Sequence, residues 1–239
     1  MGITVRQLFA AYSGPGIHSA LIALFLVMFL LPAQEAHGVT CHCFKERTFK
    51  PAQPASADPY ILATARNSLL AAASGIDKGA VVRQRMTGAT ETDLWLSGYL
   101  STQINKSADQ LLSARDRSSS WSGAFDAVEL DTGKLGTAFQ EAREAGNADG
   151  MARALADPVL GRAFNTGKPT LARLRGNGAN IAESTLSLYL ANRMNRTPES
   201  ILRSVKTGEK TWGTLFNSLG IRIDTVGDLI GEEVRGKAP

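Results

Sequence analysis

Apolar residues in this chain recur at helical spacing almost from residue 60 onward. In ILATARNSLLAAA (residues 61–73), Ile61, Ala65, Leu69 and Ala72 fall on one face of a helix. Asp58 and Pro59 just ahead of it predict the helix start, with Asp as the cap and Pro in the first turn. Leu96, Leu100 and Ile104 form a second stripe flanked by Tyr99, and Leu186, Leu190 and Met194 form another flanked by Tyr189. Leu111-Leu112, Ile201-Leu202, and the i, i+4 pairs Trp121/Phe125 and Trp212/Phe216 supply further buried sides. No convincing alternating strand of five or more residues follows beyond Pro59, and β-branched residues stay sparse, so the pattern predicts an all-α domain.

Two of these segments read almost alike, GATETDLWLSGYL at 88–100 and GANIAESTLSLYL at 178–190. Setting residues 81–107 against 171–197 at an offset of 90 gives nine identities, where ordinary composition gives roughly two. They include Arg83/Arg173, Arg85/Arg175, Gly88/Gly178 and Tyr99/Tyr189. Lys78/Lys168 extends the match, and Trp121/Trp212 and Phe125/Phe216 follow at an offset of 91. The substitutions keep the physics. Thr90 with Asp93 becomes Asn180 with Glu183, a helix cap with an acidic third residue in both places. Ser107 with Gln110 is a capping box, and Thr197 is followed by Pro198 and Glu199. Gly88 and Gly178 mark helix ends that need positive φ. The expectation is two diverged helical repeats of about four helices, at 60–136 and 156–239, with a helical connector at 137–155 broken near Gly146 and Gly150. Ala57-Asp58-Pro59 and Ala156-Asp157-Pro158 are expected to open the first helix of each.

The N-terminus changes the picture of where the chain works. Residues 20–33 (ALIALFLVMFLLPA) are an uncharged apolar run, and Arg6 is the one charge before residue 35. Fourteen helical residues span about 21 Å, short of a roughly 30 Å hydrocarbon core, which fits a signal peptide better than a membrane anchor. Ala36-His37-Gly38 sets cleavage before Val39, making 1–38 the signal peptide and 39–59 an extended, proline-rich arm. An exported protein, periplasmic or extracellular and with no stable transmembrane span after cleavage, is expected. Losing Arg6 and Glu35 together leaves the net charge at +4. This excess is scattered and lacks the basic stripe with interleaved aromatics that marks nucleic-acid binding, so no nucleic-acid partner is expected.

Two of the three histidines, His18 and His37, leave with the signal, so His42 alone remains. That removes Ser-His-Asp and Cys-His hydrolases whose histidine must line a catalytic cleft, and multi-histidine zinc sites. No CxxCH, GxGxxG or GxxxxGK[ST] motif is present. CHCF places Cys41 and Cys43 on one side of an extended strand, with His42 between them. A structural or intermolecular disulfide and a soft metal ion held by both thiolates are the alternatives there, and no other cofactor is expected. Lys78/Lys168, Arg83/Arg173 and Arg85/Arg175 precede the Gly-Ala turns and read either as solvated charge or as a cradle for phosphate or carboxylate. Tyr99, Tyr189, Trp121 and Trp212 read either as core or as the lining of two equivalent apolar grooves. Together these features point to a non-catalytic binding or assembly module of the cell envelope, whose partner is an envelope protein or a cell-wall polymer. The rival is a lytic-transglycosylase-like enzyme working through a single glutamic acid of raised pKa, for which Glu91 and Glu183 are the candidates.

Overall fold

The first helix, α1, runs Asp58–Ser74 and ends at Gly75 in the left-handed conformation, φ +68°. A computed structural model of the chain describes Phe44 and residues 46–236, and every regular element among them is helical. After α1 come α2 (Lys78–Met86), α3 (Glu91–Leu94, running on as a π-helical segment Trp95–Tyr99), α4 (Ala108–Ser118), α5 (Trp121–Ala127) and α6 (Thr137–Glu144). The second half holds α7 (Ala148–Phe164), α8 (Lys168–Gly176), α9 (Ile181–Met194), α10 (Pro198–Lys206), α11 (Trp212–Ser218) and α12 (Val226–Arg235). The all-α expectation holds. No described helix is long and apolar enough to cross a membrane. The expected signal peptide, residues 1–38, and residues 41–43 of the CHCF motif lie outside the described residues.

The helix starts follow from local chemistry. Thr90, Ser107 and Asn180 each form a full capping box, with Asp93, Gln110 and Glu183 as the reciprocal partners. Thr197 caps α10 ahead of Pro198. Gly88 and Gly178 take φ of +100° and +76° just beyond α2 and α8.

Two expected starts differ. Asp58 does not cap its own helix, because it is the first helical residue and Ala57 holds the cap position. Its carboxylate instead accepts the backbone N–H groups of Trp212 (3.2 Å) and Gly213 (2.8 Å), serving the N-terminus of α11 across the fold. Ala156-Asp157-Pro158 opens no helix either. Asn147 caps α7 ten residues upstream of Asp157, and Pro158 sits inside that helix. The segment 137–155 accordingly holds α6 and the first half of α7, with a break at Gly146 (φ +64°) and none at Gly150.

One core joins the helices. Trp95, Trp212, Tyr189, Phe125, Phe139 and Phe216 are its largest fully buried side chains. The largest interface of α1 is with α12, and it also packs on α9 and α11, so the last helix returns to the first. Gly227 makes that return feasible. A Cβ there would lie 2.3 Å from Thr64 Oγ1, 2.8 Å from Ser68 Oγ and 2.5 Å from Lys78 Nζ. The two hydroxyls sit on short side chains of α1 and have little room to withdraw. Gly227→Ala is therefore expected to cost about 1–3 kcal/mol of stability by urea or thermal denaturation, the usual range for overpacking.

Candidate functional site

The side of α1 that turns away from the Ile61/Ala65/Leu69 stripe carries Tyr60, Ala63, Thr64 and Asn67, again at three- and four-residue steps. On α2, Lys78, Val82 and Arg85 share a face by the same rule. The short link after Gly75 brings these faces together, and Phe44 and Arg47 of the arm complete the rim. The resulting pocket has a volume of about 270 Å³. Phe44 meets the Tyr60 ring edge-on at 6.0 Å, and the Arg47 guanidinium lies 5.5 Å from the centre of that ring. One wall is thus apolar and aromatic.

The remainder of the pocket is cationic. Arg47, Arg66, Lys78 and Arg85 all line it, and none has a described carboxylate within 4.0 Å. Lys78 Nζ donates to Thr64 Oγ1 at 3.2 Å. Burial pulls the Lys78 pKa down, against the pull of the Asp228 charge. Arg85 is likewise lowered by burial and by the like charge of Arg66. Its Nη1 donates to the Ala89 carbonyl at 2.6 Å, while its Nε, the Nε of Arg66 and Oδ1 of the buried Asn67 have no hydrogen-bond partner among the described residues. Orphaned polar groups of this kind are costly in a finished core and common where a ligand completes them.

The repeated arginines separate clearly. Arg83 points outward, 4.0 Å from Asp77. Arg173 is paired with Glu199 at 2.6 Å, and Arg175 with Asp157. Arg85 alone of the four reaches the pocket. The aromatic candidates pack in or against the core. Trp121, Trp212 and Tyr189 are buried in the core, with the Trp121 indole N–H donating to Asp93 Oδ1 at 3.1 Å. Tyr189 packs between Phe216 and the Arg193 guanidinium, and half-buried Tyr99 packs on Trp95. Cys41, His42 and Cys43 lie outside the described residues. Among the described residues no group of three or more His, Cys, Asp or Glu side chains is placed to hold a metal ion.

Nothing in the sequence pattern marks Arg47, Arg66 or Thr64 as site residues, although Arg66-Asn67 inside an Ala/Leu helix is a visible polar intrusion.

Glu91 and Glu183 have different surroundings. Glu183 is held by its capping box and by Lys206 at 2.8 Å. Glu91 is not part of the pocket lining. Burial pushes its carboxyl above the usual glutamate range, and the nearby Arg66 and Arg85 only partly oppose that. A raised folded-state pKa stabilises the fold below the unfolded value of 4.5, and that contribution is lost as pH rises through the folded value. Glu91→Gln should accordingly raise the melting temperature at pH 7 and leave it nearly unchanged at pH 4, where the wild-type carboxyl is already neutral.

No family model matches the chain, and neither a curated protein nor a solved structure shows significant similarity to it.

Proposed function

We propose that the chain is an exported, non-catalytic helical binding module of the cell envelope that engages an anionic cell-wall polymer through the α1–α2 pocket. The observation that carries this reading is the convergence of Arg47, Arg66, Lys78 and Arg85 on one cavity with no described carboxylate within 4.0 Å of any of them. Uncompensated cations at a partly dehydrated site attract anions more strongly than solvated surface charge does. Export rests on the apolar run at 20–33 and the Ala36-His37-Gly38 cleavage site.

A duplicated helical unit is part of the same proposal. Helices start at 58, 78, 91 and 108 in one half and at 148, 168, 181 and 198 in the other, each 90 residues apart. On this reading the unit is six helices long, α1–α6 and α7–α12, and the copies follow one another without a separate connector. The four cations converge in the first copy, which on this reading binds while the second supports it.

The enzymatic rival draws on one observation, the raised pKa of Glu91. Glu91 is not among the residues lining the pocket and feels the charges of Arg66 and Arg85, which suits an electrostatic role better than proton donation to a bound glycan. Incubating the full chain with insoluble cell-wall polymer separates the two. The binding reading expects salt-sensitive co-sedimentation that weakens at least severalfold in Arg85→Gln, with no soluble fragments released. Release of soluble glycan fragments that stops in Glu91→Gln would establish the enzyme instead. Co-sedimentation that is unaffected by Arg85→Gln would remove the pocket from the function.

A further inference from the structure

The two halves open on helix pairs of matching length whose matching positions carry different partners. Helices α1 and α7 are both 17 residues long, and α2 and α8 are both 9. In the second half the tenth residue of α7, Asp157, accepts a hydrogen bond from the eighth residue of α8, Arg175. Those positions in the first half hold Asn67 and Arg85. The arginine is retained and the carboxylate is gone. Asn67 is 8 % exposed and its Oδ1 has no partner, and Arg85 Nε has none either. The α7–α8 corner thereby indicates what chemistry belongs beside such an arginine, namely an oxyanion, and the α1–α2 corner leaves that anion to be supplied from outside.

The surroundings narrow the class of anion. One carboxylate suffices beside Arg175, but Arg66 and Lys78 join Arg85 in the α1–α2 pocket, and Arg47 stands at its rim. The acidic groups whose charge is felt there are Asp228 opposite Lys78, with Glu91 and Asp93 near Arg85. Asn67 at this position is uncharged, where an aspartate would repel an incoming anion. A compact group with more than one negative charge and several acceptor oxygens matches this set better than a monoanionic carboxylate. Phe44, Tyr60 and Val82 provide an apolar wall for the remainder of the ligand.

Building on the reading of this pocket as the ligand surface, we infer that it binds the phosphate group of a phosphate ester. The phosphate stands beside Arg85 in the place that Asp157 takes beside Arg175.

Thermal unfolding of the full chain in inorganic phosphate, against chloride and acetate at matched ionic strength, tests this. Phosphate should raise the melting temperature saturably, with chloride and acetate having little effect. Asn67→Asp supplies the carboxylate internally and should weaken the phosphate response at least about tenfold while keeping or raising stability in chloride. Arg85→Gln should abolish the response and serves as the second variant should Asn67→Asp fold poorly. Equal stabilisation by acetate would overturn the phosphate assignment in favour of a carboxylate. A phosphate response unchanged in both Asn67→Asp and Arg85→Gln would overturn the site. A normal phosphate response without polymer co-sedimentation would count against the polymer as partner and leave the site standing.

Discussion

Close packing of α12 on α1 is the constraint on which the rest of the structure depends. It ties the last helix to the first, and it works because Gly227 offers no Cβ to Thr64 and Ser68. The same approach places Asp228 within electrostatic reach of Lys78, whose ammonium also rests on Thr64. Packing and pocket therefore share residues. What shapes the core contact also sets how the cationic wall is held.

Helix α1 carries both duties because its two faces differ in composition. Ile61, Ala65 and Leu69 are fully buried in the core, while Tyr60, Thr64 and Asn67 face α2 and the arm. Asp58 fixes the start of the helix by accepting two backbone N–H groups from α11, and the Thr211 hydroxyl donates to the Pro54 carbonyl beside it. Burial raises the Asp58 pKa even so, which means the contact is made at the expense of some hydration. The arm is consequently anchored against the second half before it reaches the rim of the pocket at Arg47 and Phe44.

The helical architecture was legible because it is written in local chemistry. Capping boxes at Thr90, Ser107 and Asn180 need only residues three apart, and the Leu96/Leu100 and Leu186/Leu190 stripes need only the helical period. The role of Asp58 is not encoded in any local pattern, because its partners are more than 150 residues away. The second Ala-Asp-Pro failed for a related reason. A proline usually marks a first turn, yet Asn147 had already started α7 upstream, and burial of Val159 and Leu160 holds the helix together past Pro158. The basic residues were noticed as a set, but which of them is uncompensated depends on the carboxylate opposite each one. Arg83, Arg173 and Arg175 have such partners and Arg85 does not, a distinction that appears only in three dimensions.

Arg175 is thus paired with Asp157, whereas Arg85 has no described carboxylate within 4.0 Å. Nuclear magnetic resonance of the arginine Nε–Hε groups during a titration with inorganic phosphate tests this contrast most directly. The account predicts a saturable shift of the Arg85 signal and a static Arg175 signal. Equal movement of both, or of neither, would contradict it.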